Sequence, residues 1–383
     1  MATNGGGKII RDGLVFGMDT GYGVANNSTA TRFYRGEPTT NLWVQSRYTG
    51  YNSNTTQTRD TNDIPPLNPD FEVAKIQSLT LGAYGQSILW TTPIPSPVVG
   101  DQYTHTAYIY MTEGTYCRVG QHWNPWDYGV NTPLQKNVWT RVSHTISLTD
   151  ASRTSIANQY STDGTIYVTM PQYEKGSHST PFVYGTSRSS TQSLIDLTKS
   201  TDIDVSNVSF DSTGQPIYDG TDDSITIADP NVSSGVGFSI EMVLKPFNAS
   251  SSPMIITPNS GGIDHFVRFN NSGRLYMRMV VAADSSVQDF STNTSLSSTE
   301  YNHVVFTFKQ SEGGKAYYGG NLENSALSNF TALDWSSIWK IGQRGNNTYF
   351  YQGELPILKV YKEVLTVDEI TQNYNVYKNR FNL

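Results

Sequence analysis

The chain has 383 residues, enough for two or three domains, and a net charge of −7 without any cluster of Lys or Arg. It therefore lacks the means to neutralise phosphates, which argues against nucleic acid and anionic membrane surfaces. Membrane insertion is not expected either, because no stretch is apolar enough to span a bilayer. Only 15% of the residues are charged, while Ser, Thr, Asn, Gly and 24 tyrosines are abundant, a composition that favours short strands with polar outer faces over disorder.

Residues 1–8 are small and polar, with a glycine run at 5–7, and we expect a mobile arm or an assembly contact there. The segment lacks the apolar stretch of a signal peptide, and no window is apolar enough for a transmembrane helix. Cys117 is the only cysteine, so no intrachain disulfide can form. We expect a protein made in the cytoplasm and stabilised by packing or assembly.

The next region predicts strands. GLVFGMD at residues 13–19 is typical of a buried strand, and Tyr103–Met111 and Val138–Leu148 alternate with a period of two. Asp163–Gly164 predicts a hairpin turn that leads into a strand at Gly164–Met170. Many short strands with turn signals at this spacing predict a β-sandwich or jelly roll.

The C-terminal half also predicts strands. Phe238–Lys245 alternates cleanly, with Phe238 on the inward face and Glu241 on the outward face. His303–Phe308 is apolar on both faces and predicts a central strand, and Gly319–Gly320 predicts a two-residue hairpin turn.

One helix is predicted, at the end of the chain. Thr366 stands three residues before Glu369, which predicts a capping box at the start of the helix. The helix must dock on a sheet, because it cannot bury its apolar face alone. That predicted apolar stripe consists of Val367, Ile370, Tyr374 and Tyr377.

Several motifs of this half stand in the order found in laminin-G-like, concanavalin A-like lectin/glucanase domains, which the sequence resembles. They are YDGTDDSITI (218–227), FSIEMVLKP (238–246), YNHVVFTF (301–308), KAYYGGNL (315–322) and GELPILKVYKEVLTVDEITQNYNVYKNRF (353–381). The closing strand and helix look like versions common in tailed-phage virion proteins. Tyr301, where the family often has Trp, and Pro356, inside a strand, depart from the pattern.

In that family a motif like GLVFGMD forms the first strand of the same domain. The resemblance therefore implies a discontinuous domain interrupted by an insertion, unless the strand at 13–19 belongs to the middle domain. EPTTNLW at 37–43 and MPQYEKGSHSTPFVYGTSRSS at 170–190 resemble the ends of a carbohydrate-binding-module-like jelly roll of phage structural proteins. The predicted organisation is an arm at 1–8, a first strand region at 9–30, an inserted jelly roll at 31–190 and a concanavalin A-like domain at 191–383.

Glucanases of this fold need two carboxylates beside the scissile bond, commonly spaced Glu-x-Asp-x-x-Glu on one strand. The sequence lacks this spacing, since Glu241 stands alone on its strand and Asp202 and Asp204 lack the third acid. Nor does it contain a nucleophile elbow, a zincin histidine pair or a phosphate-binding loop. We expect no enzymatic activity.

QHWNPWDYG at 121–129 is the candidate for ligand contact, because aromatic residues crowd a proline-containing loop. Sugar rings stack on aromatic faces, and polar neighbours can bond hydroxyl groups. The alternative is that these rings fill a loop core or a subunit interface. The predicted carbohydrate-binding residues are Trp123, Trp126, Tyr128, Asn124 and Asp127.

Asp219, Asp222 and Asp223 cluster at a predicted turn, where they are candidate ligands for calcium. The alternative is a hydrogen-bonded, aspartate-rich turn that begins a strand. His144 and His303 lie in strand patterns and are expected to be core or edge residues rather than ligands. A second aromatic group is expected to be structural and consists of Trp335, Trp339, Tyr349 and Tyr351.

The resemblance implies an all-β, non-enzymatic virion structural protein on the particle surface, as a capsid decoration, head fibre or tail accessory protein. Its expected partners are other virion proteins, further copies of itself, with a trimer favoured, and weakly bound host surface polysaccharide. The alternatives are a free carbohydrate-binding lectin and, with less support, a glycan-degrading enzyme.

Overall fold

The chain divides into two compact units in the computed structural model. The discontinuous unit comprises Met1–Pro38 and Ser189–Leu383, and the inserted unit comprises Thr39–Arg188. The residues that the structure describes are 9–20, 38–43, 49–50, 55–59, 64–65, 67, 71, 73–78, 85–122, 127, 129–152, 155–183, 187–211, 214–232, 236–249, 252–258, 265–280, 287–310, 312–326, 335 and 337–383.

Strands make up nearly all of the regular structure in these residues. The strands up to the end of the inserted unit are β1 (Leu14–Asp19), β2 (Thr39–Thr40), β3 (Thr49–Gly50), β4 (Thr55–Arg59), β5 (Val73–Ser78), β6 (Gly85–Pro93), β7 (Gln102–Glu113), β8 (Tyr116–His122), β9 (Thr132–Pro133), β10 (Trp139–Ser147), β11 (Ser155–Thr162), β12 (Thr165–Lys175) and β13 (Ser187–Arg188). The later elements are β14 (Leu194–Ile195), β15 (Asp202–Ser206), β16 (Ser209–Phe210), β17 (Pro216–Asp219), β18 (Ser224–Ile227), β19 (Gly237–Pro246), β20 (Met254–Pro258), β21 (Phe266–Phe269), β22 (Leu275–Val280), β23 (Val287–Ser291), β24 (Asn302–Lys309), β25 (Gly313–Tyr318), β26 (Asn321–Ala326), β27 (Trp339–Ile341), β28 (Gln352–Tyr361) and the helix α1 (Val367–Phe381).

Two eight-stranded sheets form the discontinuous unit. The first has the order β16-β17-β28-β19-β24-β25-β26, with β1 also paired to β28, and the second has the order β14-β15-β18-β27-β20-β21-β22-β23. Side chains of both sheets share one core, where Phe238 of β19 and Val267 of β21 are 0% exposed. The period-two pattern of β19 is therefore explained, because one face of the strand packs against this core.

Strand β1 pairs with β28 from the far end of the chain, with Gly17 opposite Lys359. The other side of β1 contacts the residues that follow β14. Gly17 N donates to Asp196 Oδ1 (2.9 Å), and Leu197 N donates to Gly17 O (2.8 Å). The inserted unit is slightly narrower than the predicted insertion at 31–190. That each part folds alone stays a prediction.

Pro356 lies inside β28, although proline lacks the amide donor that a sheet needs. On one side of β28 the partner changes here from β17, which pairs with Glu354, to β1, whose pairing starts at Ile357. On the other side the register with β19 shifts between Val243 and Lys245. Pro356 thus occupies an irregularity of the sheet, where the missing donor costs little.

The helix α1 begins with the predicted capping box. Thr366 Oγ1 accepts a hydrogen bond from Glu369 N, and Thr366 N donates to Glu369 Oε2 (2.8 Å). The predicted stripe is wrong at Val367, which is 53% exposed. The residues that α1 buries are Ile370, Asn373, Tyr377 and Phe381. Among the described residues, no helix is long and apolar enough to cross a membrane.

Glu241 faces away from the sandwich core, as predicted, yet it is 0% exposed because α1 lies over this face of β19. Its carboxylate lies 3.0 Å from His303 Nε2 and accepts hydrogen bonds from Tyr361 Oη (3.1 Å) and Asn373 Nδ2 (2.9 Å). A buried carboxylate requires such partners, because it has lost its water. His303 is accordingly a core residue.

Two five-stranded sheets, with the orders β10-β7-β12-β5-β4 and β3-β6-β11-β8-β9, and a two-stranded sheet of β13 and β2 form the inserted unit. The predicted hairpin at Asp163–Gly164 is wrong, since β11 before it pairs with β6 and β8, and β12 after it pairs with β5 and β7. The turn crosses between sheets, and it needs Gly164 because a Cβ there would lie 2.3 Å from Glu113 O. The predicted all-β chain with two β-sandwich units and one closing helix is confirmed.

Candidate functional site

The predicted sugar-binding residues follow β8 in the inserted unit. Those that lie outside the described residues are Trp123, Asn124, Trp126 and Tyr128. Asp127 is described, and it closes the loop at its base, because Gln121 N donates to Asp127 O (2.6 Å) and Asp127 N donates to Gln121 O (3.1 Å). Sugar binding by this loop stays a prediction.

The Asp127 carboxylate is engaged within the protein. Its Oδ1 accepts from Gly129 N (2.8 Å), and its Oδ2 lies 2.9 Å from Nε2 of His144. His144 lies on β10, an edge strand of its sheet, as predicted. Gly129 has a φ of +68°, and a Cβ there would lie 2.2 Å from Val119 O. These contacts support a role for Asp127 in holding the loop base, and its bond to a sugar hydroxyl stays a prediction.

The predicted calcium ligands lie in the turn between β17 and β18. The ligand atoms of Asp219, Asp222 and Asp223 all lie within 4.8 Å of one another. Asp219 Oδ1 accepts from Thr221 N (2.7 Å), and Asp223 Oδ2 accepts from Asp219 N (2.6 Å). The turn is therefore hydrogen-bonded. Within the described chain, these bonds engage one oxygen of Asp219 and one oxygen of Asp223.

The electrostatics of this turn favour a cation. Burial raises the pKa of Asp223 to about 6, with the negative charges of Asp219 and Asp222 acting in the same direction and the hydrogen bond from Asp219 N opposing them. Carboxylates this close are stabilised by a shared proton or a cation. Calcium takes about six to eight oxygens, so backbone carbonyls and water would complete the shell. The three carboxylates therefore fit calcium, for which they would supply part of the coordination shell.

Two exposed aromatic side chains lie on segments that adjoin β28, the partner strand of β17, and the sequence did not single them out as ligand contacts. Phe247 is 43% exposed and Tyr349 is 46% exposed. Gln352 of β28 links Phe247 to the turn, because it pairs with Asp219 and its carbonyl accepts from Phe247 N (2.9 Å). Tyr349 stands three residues before Gln352 in the chain. We call the sandwich-end cluster the set Asp219, Asp222, Asp223, Phe247 and Tyr349.

The backbone of Tyr349 has an uncommon conformation. Its φ is +55°, in the left-handed region that a bulky residue seldom adopts. The carbonyl of Tyr349 accepts from Met254 N (2.9 Å), and the Arg344 guanidinium lies 5.8 Å from its ring centre. Of the aromatic group that was expected to be structural, Trp335, Trp339 and Tyr351 are 0% exposed, whereas the side chain of Tyr349 is not buried. The Gly-Asn-Asn-Thr sequence before Tyr349 was the available signal, since it is typical of an exposed turn.

The candidate acids of a glycosidase lie apart. Glu241 is 0% exposed beneath α1, on the outer side of the first sheet. Asp202 and Asp204 are exposed on β15, and the alternate residues Ile203 and Val205 belong to the core, so these two acids face outward from the second sheet. The sandwich separates them from Glu241, whereas a glycosidase needs both carboxylates beside one bond.

Residues 219–371 match the family model described as the concanavalin A-like lectin/glucanases superfamily. This segment contains the sandwich-end cluster and the start of α1, and it is a concanavalin A-like domain. No curated protein sequence matches the chain.

Solved structures that resemble part of the chain include two binding domains and a domain solved with arabinotriose. The botulinum neurotoxin serotype D ligand binding domain, solved with N-acetylneuraminic acid, is 14% identical, with a TM-score of 0.41 over 49% of each chain. The binding domain of Paraclostridial Mosquitocidal Protein 1 is 20% identical, with a TM-score of 0.38 over 48% of this chain and 50% of that one. Domain 4 of the arabinanase AbnA from Geobacillus stearothermophilus, solved with arabinotriose, is 16% identical, with a TM-score of 0.38 over 47% of this chain and 91% of that one. The chain spans about half the length of the toxin domains.

Proposed function

We propose that this chain is a non-enzymatic carbohydrate-binding protein displayed on the surface of a phage virion, as a capsid decoration, head fibre or tail accessory protein. In that role it binds host surface glycans weakly at each site and holds them through many copies. Single-site affinities of about 1 mM are enough when many copies engage one surface together.

The observation that carries the carbohydrate part is the sandwich-end cluster within a concanavalin A-like domain. Phe247 and Tyr349 expose almost half of their surface, and Phe247 is linked to the acidic turn through Gln352. Aromatic rings stack against the C–H faces of sugars, and carboxylates or a bound calcium ion bind hydroxyl groups. The same group of residues therefore offers both kinds of contact that a sugar ring needs.

The loop with Trp123 and Trp126 is proposed as a second contact region. The Gln121–Asp127 backbone pair and the contact between Asp127 and His144 hold its base. These bonds fix the described residues Gln121 and Asp127, between which both tryptophans stand in the sequence.

The virion part of the proposal rests on the phage-like closing motif, the phage-like ends of the jelly roll and the glycine-rich residues 1–8. We propose that copies assemble as a homotrimer and contact other virion proteins. Gold-antibody labelling of intact particles from the source sample tests this directly. Regular label on heads or tails is expected. Particles without label would contradict the virion role and favour a free lectin.

A glycan array with the full-length chain tests the carbohydrate part. We expect binding that the double variant Phe247→Ala/Tyr349→Ala weakens, whereas Val367→Ala, at an exposed position on α1, leaves it unchanged. If only Trp123→Ala/Trp126→Ala weakens binding, the tryptophan loop is the site and the sandwich-end cluster is not. If the chain binds no glycan on the array, the carbohydrate function is rejected.

A further inference from the structure

The outer face of the second sheet carries an alternating set of aromatic and cationic side chains. Val267 and Met277 belong to the core, so their neighbours along β21 and β22 point to the opposite face. The backbone register sets Phe266 opposite Arg278 and Arg268 opposite Tyr276. We call the arginine patch the set Phe266, Arg268, Tyr276 and Arg278.

Both guanidinium groups lie over aromatic rings. That of Arg268 lies 4.9 Å from the ring centre of Phe266 and 5.2 Å from that of Tyr276, and that of Arg278 lies 5.0 Å from Phe266. Phe266 is 1% exposed and Tyr276 is 8% exposed. The rings are therefore a support beneath the cations, through cation–π contacts, and do not offer a sugar a free stacking face.

The two arginines differ in their hydrogen bonds. Arg278 binds Asp289 through two parallel bonds, from Nε to Oδ1 (2.8 Å) and from Nη2 to Oδ2 (2.7 Å). Arg268 donates from Nε to the hydroxyl of Tyr276. Within the described part of the chain, Arg268 has no ion-pair partner, and its two terminal nitrogens donate no hydrogen bond.

This arrangement is prepared for an anion. A guanidinium stays charged, and the rings exclude part of the water around Arg268, which is only partly exposed. The bond to Tyr276 fixes the plane of the group, so the fork of terminal N–H donors is oriented before a ligand arrives. Two parallel N–H donors of a guanidinium match a carboxylate, and Arg278 binds Asp289 in this way through Nε and Nη2. Arg268, whose Nε donates to Tyr276, offers its two terminal nitrogens instead.

We propose that Arg268 binds the carboxylate of an acidic sugar unit, such as a uronic acid residue of a surface polysaccharide. The inference rests on the proposed carbohydrate-binding function and adds a ligand class to it, an anionic glycan. The ligand carboxylate binds the two terminal nitrogens of Arg268, whereas Asp289 already occupies Nε and Nη2 of Arg278.

The test measures binding of the full-length chain to polygalacturonate and to its methyl ester, which has the same backbone without the charge. We expect tighter binding to polygalacturonate, a loss of about tenfold or more in Arg268→Gln, and an intermediate loss in Arg268→Lys, which keeps the charge without the fork. Arg274→Gln is the matched control, since Arg274 is an exposed arginine in the turn between β21 and β22. It removes the same charge and should leave affinity unchanged. The melting temperature of each variant verifies that it is folded.

Several outcomes would overturn the inference. Equal losses in Arg268→Gln and Arg274→Gln would indicate a general charge effect, and equal binding of the methyl ester would show that the carboxylate is not recognised. If the chain binds dextran sulfate more tightly than polygalacturonate, and Arg268→Gln weakens this binding, the ligand group is a sulfate rather than a carboxylate. A chain that binds neutral array glycans but not polygalacturonate refutes this inference alone, whereas a chain that binds neither also refutes the proposed function.

Discussion

Single residues in this protein owe their chemistry to what surrounds them. His105 in the inserted unit shows this, because its ring stacks at 5.9 Å on Trp43 and its Nε2 lies 2.6 Å from Tyr160 Oη. Burial is the main reason that its pKa falls from the ordinary 6.5 to about 3, with the nearby His144 adding to the effect. A histidine that resists protonation in the folded state makes folding depend on pH.

The His105 pKa predicts acid sensitivity of the inserted unit. The pKa is lower in the folded state than in the unfolded state, so the contribution of His105 is complete above pH 6.5 and is lost as the pH falls towards 3. The free energy of unfolding should fall by about 1.4 kcal/mol per pH unit in that range. Urea unfolding at several pH values should show a shallower dependence in His105→Gln. Identical slopes in wild type and variant would contradict the assignment.

The acidic turn predicts stabilisation by calcium. An ion that binds only the folded state raises its stability, by about 2.7 kcal/mol at a free concentration of about 100 times the Kd. The melting temperature should therefore rise with calcium, fall with chelator, and respond less in Asp222→Asn. Asp202→Asn, at an exposed position on β15, is the control. A melting temperature that chelator does not change would reject the calcium site.

At the scale of elements, local signals were reliable where the deciding contacts are local. The capping box of α1 was predictable because both partners lie within one turn. The Asp163–Gly164 turn was mistaken for a hairpin because turn residues do not say whether the next strand joins the same sheet. Similarly, the alternation of β19 predicted that Glu241 points away from the core. Its burial beneath α1 was not predictable, because it depends on residues more than a hundred positions away in the chain.

The capping box predicts a measurable share of the stability of α1. Thr366→Ala removes the acceptor for Glu369 N and should lower the free energy of unfolding of the discontinuous unit by about 1 kcal/mol. Chemical denaturation gives this value. Thr371→Ala, at an exposed position inside the same helix, should cost nothing, because alanine favours helices. Equal losses in both variants would show that the cap contributes no specific stability.

At the scale of the whole molecule, the discontinuous unit joins the two ends of the chain. Arg380 Nη1 donates to Asp19 Oδ1 (2.6 Å), and buried Lys359 lies 3.7 Å from Asp19 Oδ2. Ile10 N donates to Asn373 Oδ1 (2.9 Å). Removal of the N-terminal strand would leave Lys359 without this carboxylate, and breaking a buried pair typically costs about 3–5 kcal/mol.

These contacts predict how fragments behave. Residues 31–190 should fold and unfold cooperatively when expressed alone, whereas residues 191–383 without residues 9–22 should not fold. A single chain that joins 9–22 to 191–383 through a short linker should recover folding, which circular dichroism and thermal melts would report. If 191–383 alone melts like the full chain, the discontinuous domain is wrong.

The candidate site was less accessible from sequence than the fold. The three aspartates are close in sequence, so their cluster was predictable. Phe247 is brought towards that turn only by the pairing of β28 with β17 and the bond from Phe247 N to Gln352, and Tyr349 lies on the segment that leads into β28. The arginine patch likewise depends on the register of β21 with β22, which no single strand pattern reveals.

The most direct test of the account is a calorimetric titration of the strongest-binding array glycan into the full-length chain, with reducing ends measured in the same samples. The account predicts binding without any release of reducing ends, and a loss of about tenfold or more in affinity in Phe247→Ala/Tyr349→Ala. Unchanged affinity in that variant would move the site away from the sandwich end. Release of reducing ends by wild type that Glu241→Gln abolishes would contradict the central claim and identify an enzyme.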